Sequence, residues 1–372
     1  MSKTIVFTGG GSAGHVSGNL VLIPRCSEEN WDIHYIGSED GIERKLTAEY
    51  KEVTYHPIST GKLRRYLSWE NVTDVFKVIR GIFQSYRLIR KLKPDVIFSK
   101  GGFVSVPVVF GAKLNKVPII IHEPDLNLGL ANKISQPFAE VMCTTFRETA
   151  QKFDSPKTVY VGPILKEELK LGSMLRGFIS CGFTSDKPVL LIMGGSQGAH
   201  RINQMVKSVL SELVENFQVV HICGKGKLDH TLSMPGYKSY EFVTKELPDL
   251  LAMADIVVSR AGSGSIMELL SLQKPMLLIP HIQGGNRSGQ RVNAQNFQQQ
   301  GFADVLLEEQ MTSQSFLKAI KQLYKNRTKY IDRMKEHEHG EGADKVMDLI
   351  RRASGHEIRT TIDGNPNKAH IH

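Results

Sequence analysis

Apolar residues along the chain gather in short runs separated by stretches of helical spacing. Residues 4–7, 33–36, 96–98, 118–121, 189–193, 218–223, 256–259 and 276–279 each read as a buried strand, and several run straight into glycine. Helices of about 10–15 residues fit between most neighbours. That alternation is the grammar of βαβ units, and it predicts an α/β protein with parallel sheets covered by helices on both faces.

The pattern also repeats. "TIVFTGGGSAGH" at residues 4–15 is echoed by "VLLIMGGSQGAH" at residues 189–200, each an apolar strand, a glycine-rich turn and a helix start. Between residues 163 and 188 the periodicity weakens and Asp186-Lys187-Pro188 punctuates it, so a domain junction is expected there. Two Rossmann-like halves, each with a phosphate-type turn, suit a sugar-nucleotide transferase better than a dehydrogenase. Residues 355–372 lack periodicity and read as a disordered tail.

Composition adds bounds rather than direction. A chain of 372 residues, 41% hydrophobic and 23% charged, is an ordinary globular protein with room for two cores. Its net charge of +9 points to anionic partners. Cys26, Cys143, Cys181 and Cys223 have no paired spacing, which argues for free thiols in a reducing compartment and against a disulfide framework or zinc site. His337, His339, His370 and His372 likewise lack metal-ligand spacing, and no metal is expected. The first strand leaves no room for a signal peptide, and no apolar run is long enough to cross a membrane, so a cytoplasmic protein is expected.

Several stretches carry chemistry. Gly9-x-Gly11-x-x-Gly14 fits a dinucleotide fingerprint, but the acidic residue this reading requires about 20 residues on is met only by Glu39 and Asp40, which fall late. Gly262-Ser263-Gly264-Ser265 follows a strand and opens a helix, where backbone amides bind diphosphate, and Glu268 could accept hydrogen bonds from ribose hydroxyls. Equally, Ser265-x-x-Glu268 spells a capping box that needs no ligand. "GGSQG" at 194–198 is a second open turn, and the amide-rich segment 281–297 suits either hydroxyl recognition or a solvated loop. "SKGGFVSVP" (99–107) and "IHEPD" (121–125) should share a cleft with His15; His122 reads as a structural histidine, with Glu123 or Asp125 near a reacting hydroxyl. Residues 62–93 hold nine basic side chains against Glu70 and Asp74, with Val72, Val75, Phe76, Ile79, Ile82, Phe83, Tyr86 and Ile89 at helical spacing. Most of that apolar stripe is expected to face the core, although a basic helix bearing aromatics also suits anionic lipid.

In order along residues 3–350, "GGGSAGH", "SKGGFVSVP", "IHEPDLNLGLANK", "MGGSQGAHRIN", "SRAGSGSIMELL" and "NRSGQRVNAQNF" resemble the MurG family of N-acetylglucosaminyl transferases, which convert lipid I to lipid II. The resemblance implies the GT-B fold: Rossmann-like domains at 1–163 and 164–340 facing a cleft, and a helix at about 341–353 packing back on the first. It implies inverting transfer from UDP-GlcNAc to the C4 hydroxyl of undecaprenyl-diphosphate-linked lipid I, with His15 as first choice of base and Glu123 as second, and with no cofactor or nucleic acid. The UDP-GlcNAc set it implies is Ser12, Ala13, Gly14, Asp125, Lys166, Ser196, Val243, Gly262, Ser263, Gly264, Ser265, Glu268 and Gln290. Lys166 and Asp125 stand where the family has Arg and Asn. The opening turn becomes a cradle for the acceptor's diphosphate rather than for NAD. An enzyme with a lipid acceptor is expected to sit peripherally on the anionic cytoplasmic face of the membrane, with Arg64, Arg65 and Arg80 on lipid headgroups and Tyr66, Leu67 and Trp69 entering shallowly.

Overall fold

The structure, a computed structural model, describes residues 2–61, 69–153, 155–195, 198–281, 288–337 and 342–355, with backbone only at 69–73 and 288. The chain separates between Leu165 and Lys166 into two compact units. That boundary lies two residues past the expected one at 163.

In the first unit, β1 (Thr4–Thr8), β2 (Asp32–Ser38), β3 (Val53–Ile58), β4 (Val96–Ser99), β5 (Ile119–Glu123), β6 (Val141–Thr144) and β7 (Thr158–Tyr160) form one sheet in the order β3-β2-β1-β4-β5-β6-β7. Every pairing is parallel. The connections carry α1 (Gly14–Glu28), α2 (Ile42–Thr47), α3 (Trp69–Leu92), α4 (Ser105–Leu114), α5 (Leu130–Ser135) and α6 (Arg147–Lys152). Strand periodicity divides the core: Ile5, Phe7 and Phe98 pack on one face of the sheet, Val6, Ile97 and Ile121 on the other. Covered on both sides, β4 and β5 are buried throughout, which is why they read as unbroken apolar runs.

The second unit repeats the plan with β8 (Val189–Met193), β9 (Gln218–Ile222), β10 (Tyr237–Tyr240), β11 (Ile256–Ser259), β12 (Met276–Leu278) and β13 (Ala303–Val305), ordered β10-β9-β8-β11-β12-β13 and again parallel. Its helices are α7 (Met174–Cys181), α8 (His200–Ser208), α9 (Leu210–Asn216), α10 (Leu247–Met253), α11 (Ser263–Ser271), α12 (Ser288–Gln299), α13 (Ser313–Lys325) and α14 (Arg327–Lys335). The weakly patterned segment after Lys166 belongs here. It closes on α10 through Gly172 and Gly177, where a Cβ would stand 2.0 Å from the Pro248 carbonyl and 2.6 Å from that of Asp249, and through an Arg176–Asp249 ion pair of 2.7 Å.

The last helix, α15 (Gly342–Ser354), returns to the first unit and lays Val346, Met347 and Ile350 on the core that holds Ile5 and Phe7. Lys3 Nζ donates to Ser354 Oγ at 2.8 Å and Arg351 pairs with Glu29 at 2.6 Å, fastening it at the edge. Five strands escaped the sequence pattern. β3 and β10 are sheet edges with polar, half-exposed residues, and Pro57 in β3 is tolerated because an edge strand has a free side. β6, β7 and β13 are only three or four residues long. The tail from 356 onward, with His339, His370 and His372, lies outside the described residues. His337 stacks on Phe302 with ring centroids 5.2 Å apart. Cys26, Cys143 and Cys223 are buried free thiols and Cys181 is half-buried.

Candidate active site

In both units the strand order reverses beside the first strand, between β1 and β4 and between β8 and β11. Loops leaving the carboxyl ends of strands at such a switch point form the crevice where open α/β sheets bind ligands.

The first unit fills much of that crevice with its own side chains. Gly11 has a φ of +81°, and a Cβ there would meet the Phe103 ring at 2.3 Å. A Cβ on Gly10 would lie 2.5 Å from the Glu43 carboxyl group. Glu43 is fully buried and accepts hydrogen bonds from Gly11 N (3.2 Å), Ser38 N (3.0 Å) and the Ser38 hydroxyl. An acid therefore does stand between the turn and the end of β2, but it comes from α2 and is spent on backbone, while Glu39 and Asp40 point to solvent. With the Gly11 amide occupied by an internal carboxylate, a dinucleotide has no purchase there. What remains of the cradle is the start of α1 at Ser12, Ala13 and Gly14, which no side chain caps.

His15 is half-buried, with Nδ1 2.9 Å from Ser12 Oγ and a ring hydrogen bond to the Gly10 carbonyl. A carbonyl only accepts, so in the neutral ring the nitrogen facing Gly10 carries the proton and the other keeps its lone pair. Burial holds the imidazole below its ordinary pKa; Asp125 opposes this and Lys100 adds to it. Lys100 is 4% exposed and its Nζ lies 2.7 Å from His122 Nδ1, while His122 Nε2 lies 3.3 Å from Thr145 Oγ1. Both nitrogens of His122 are thus engaged inside the protein, the arrangement of a structural histidine.

Glu123 does not suit a base. Its carboxylate, 2% exposed, accepts from Asp125 N (3.0 Å), Gly129 N (2.9 Å) and Asn132 Nδ2 (2.9 Å). Burial pushes it up to about 7, with two of the three donors coming from the loop that follows it and the third, Asn132, from α5. Glu123 thus holds the 124–129 loop, and the carboxylate that loop brings toward His15 is Asp125.

The second unit leaves the turn before α11 open. α11 begins at Ser263 with Gly262 as N-cap and no side-chain cap, so Ser265 lies inside the helix and the Ser265–Glu268 capping box does not form. Neither Gly262 nor Gly264 would bring a Cβ within 4 Å of another atom, and neither has a positive φ. Glu268, half-buried in the second turn, is raised to about 7 by burial, with the Lys166 charge pulling the other way. Gln290 Oε1 accepts from His281 N at 3.0 Å, and Asn293 Nδ2 donates to the Ala261 carbonyl at 3.2 Å, tying α12 to the loop before α11. Arg260 braces the same loops, donating to the Ile279 carbonyl (3.0 Å) and pairing with Glu308 at 2.6 Å. Val243 is buried in the loop between β10 and α10. Ser196 lies outside the described residues. The expected UDP-GlcNAc set thus falls into two groups: Ser12, Ala13, Gly14 and Asp125 in the first unit, and Lys166, Val243, the 262–265 turn, Glu268 and Gln290 in the second.

Residues 5–144 match the glycosyltransferase family 28 N-terminal domain, and residues 189–350 its C-terminal domain. The chain belongs to glycosyltransferase family 28. It is 54% identical over 94% of its length to 99% of the Bacillus cereus protein named UDP-N-acetylglucosamine--N-acetylmuramyl-(pentapeptide) pyrophosphoryl-undecaprenol N-acetylglucosamine transferase 3. To the transferase of that kind from Geobacillus thermodenitrificans it is 52% identical, covering 94% of this chain and 99% of the relative. Among solved structures, MurG of Acinetobacter baumannii superposes with a TM-score of 0.74 at 21% identity, covering 94% of this chain and 99% of that one. The UDP-GlcNAc 2-epimerase of Neisseria meningitidis, bound to UDP-GlcNAc, gives 0.64 at 13% identity, covering 95% and 100%. These structural matches share the GT-B pairing of two Rossmann-like domains.

One surface of this family 28 chain departs from the sequence expectation. On α3, Ser85 and Ile89 are buried and Val78, Ile82 and Leu88 half-buried, whereas Val75, Phe76, Ile79 and Phe83 are 47%, 69%, 57% and 53% exposed. The stripe is two faces, not one, and only the first packs inward. Lys77, Arg80, Arg87 and Arg90 are exposed, and the Arg87 guanidinium lies 4.3 Å from the centre of the Phe83 ring. Arg64, Arg65, Tyr66 and Leu67 lie outside the described residues, as does the Trp69 side chain. Among the described residues no helix is long and apolar enough to cross a membrane, and no three His, Cys, Asp or Glu side chains are grouped to hold a metal.

Proposed function

We propose that the protein transfers N-acetylglucosamine from UDP-GlcNAc to the C4 hydroxyl of the muramoyl sugar of undecaprenyl-diphosphate-linked lipid I, inverting the anomeric carbon and giving lipid II for peptidoglycan. The observation that carries this is the 54% identity, across 99% of its length, to a protein named for that transfer. The second unit holds the donor. Amides at the uncapped start of α11 receive its diphosphate, Glu268 accepts from the ribose hydroxyls, Gln290 contacts the sugar, and Val243 offers its backbone to uracil. Lys166 supplies a positive charge beside Glu268. The first unit presents the acceptor. His15 takes the proton from the C4 hydroxyl through its unprotonated ring nitrogen, Ser12 and the Gly10 carbonyl orient the ring, and charge building on the leaving UDP is offset by the α11 N-terminus.

Because the acceptor's lipid stays in the bilayer, the enzyme comes to it. The outward face of α3 supports a peripheral station on the cytoplasmic surface: apolar side chains enter shallowly while Lys77, Arg80 and Arg87 meet anionic headgroups. The test of the activity is incubation with labelled UDP-GlcNAc and lipid I followed by product analysis. A labelled disaccharide on the lipid is expected. Release of UDP without acceptor, or no labelled lipid, rejects the assignment.

A further inference from the structure

Lys100 takes no part in the chemistry above, yet it is enclosed to 4% exposure. A lysine is rarely buried without partners, because dehydrating its charge costs several kcal/mol. Here the fold makes room for it. Gly18 lies in the second turn of α1, and a Cβ there would stand 2.6 Å from Lys100 Cε and 2.9 Å from Nζ. Glycine inside a helix costs about 1 kcal/mol relative to alanine, so α1 surrenders propensity to admit this side chain. The Lys100 loop also reaches His15: a Cβ on Gly102 would be 3.2 Å from His15 Nδ1. Facing Lys100 are His122, Glu123 and Asp125 from β5 and its loop, Cys143 from β6, and His15 from α1. Facing His15 are Asp125, Lys100 and Glu43, with the Ser12 hydroxyl and the Gly10 carbonyl.

We propose that Lys100 is a positioning residue for the transfer: its ammonium, enclosed beneath α1 against Gly18, disfavours a proton on His15, which as a base must be neutral. The functional half of this rests on His15 being the base. Burial brings the ammonium down to about 7, with Glu123 and Asp125 holding it from falling further, while His15 sits below its ordinary value. As the solution is acidified, Lys100 charges first. A proton on His15 must then be added against both burial and that charge, with Asp125, the Gly10 carbonyl and Glu43 in its favour.

Lys100→Met fills the slot against Gly18 without the charge. In the full-length protein labelled with ¹³C-histidine, the His15 titration midpoint should rise by about one pH unit, the effect of a like charge lost from close range. The acid limb of kcat/KM, followed by UDP release with lipid I, should move the same way, with KM for UDP-GlcNAc unchanged. If Lys100→Met does not fold, Lys100→Gln carries the same expectation, since its amide still donates to His122 without charge. An unmoved His15 midpoint overturns the inference, whatever the acid limb does. A midpoint that rises while the acid limb stays supports the coupling between the two residues and removes His15 as the base, so the two readings fail separately.

Discussion

Each half of the chain carries a glycine-rich turn at a strand end, and the turn after β1 and the turn after β11 use their glycines for opposite ends. In the first unit the turn and the helix it opens are full: Cβ atoms on Gly10 and Gly11 would collide with Glu43 and Phe103, and one on Gly18 of α1 with Lys100. In the second, Gly262 and Gly264 face open space and have ordinary backbone angles, so neither packing nor conformation asks for glycine. Gly264 in a helix even costs about 1 kcal/mol relative to alanine. The proposed donor diphosphate, which would approach the α11 backbone closely, gives that glycine a use. Two glycine-rich turns are thus not alike: one set of glycines admits the protein's own side chains, the other is left open for the donor proposed above.

The sharpest way to separate the halves is His15→Ala. Turnover should fall by roughly 10²–10⁴-fold, the range for losing a general base, while UDP affinity, assigned to the other unit, stays put. A few-fold loss, or a matching loss of UDP binding, would erase the division of labour. Next in size is the outward face of α3. Changing Lys77, Arg80 and Arg87 to Glu removes about 1 kcal/mol of attraction to anionic lipid per side chain, so flotation with anionic vesicles at low salt should be lost and donor binding kept. Equal flotation of variant and parent would move the membrane contact elsewhere.

Glu268→Ala should weaken UDP-GlcNAc by about 1.5–3 kcal/mol in calorimetry, the worth of hydrogen bonds to a charged acceptor. With its carboxyl raised to about 7, the parent should also bind about tenfold less tightly at pH 6 than at pH 8, because only the ionised form accepts both hydroxyl protons. The unliganded protein responds with the other sign. The folded form holds this proton more tightly than the ordinary value of 4.5, so the Glu268 contribution to stability is present below about 4.5 and lost as pH rises through about 7. Glu268→Gln should flatten both curves; a binding profile left unchanged in that variant takes the ribose contact away from Glu268.

The smallest effects test the glycines directly. Gly10→Ala must displace Glu43 and should cost about 1–3 kcal/mol of stability, read as a lowered Tm. Gly264→Ala should instead raise the stability of the unliganded protein by up to about 1 kcal/mol while weakening UDP-GlcNAc. If both alanines destabilise alike, the contrast between a full turn and an open one collapses.

Much of this was legible in the chain, and the exceptions share a cause. The central strands, both glycine-rich turns and the second-unit ligand element are contiguous in sequence, so period and spacing reveal them. Glu43 and Lys100 are not. Their meaning comes from Gly11, 32 residues away, and His122, 22 residues away, and no local pattern encodes which buried group meets which. Glu123 is the same case, since its carboxylate is held by a loop and a helix that follow it. The capping box failed by a shift of register: α11 starts at Ser263, which places Ser265 in its first turn rather than at its cap. The α3 stripe failed because two apolar faces on one helix sum to the same composition as one broad face.

The slot around Glu43 is walled by three glycines from separate segments. Cβ atoms on Gly10, Gly37 and Gly41 would approach its side chain to 2.5, 2.9 and 2.1 Å. Sites that share one cavity couple rather than add. These four positions therefore form a single unit of variation. An alanine at Gly10 is tolerated only if position 43 shortens first, whereas at Gly37 the Tyr55 hydroxyl and at Gly41 the Ser38 hydroxyl, each 2.3 Å from the added Cβ, must give way as well. Relatives drifting through sequence space should cross this ridge in one order, acid before glycine, and a library that randomises the four positions jointly should recover folded members that no series of single changes starting at the glycines can reach.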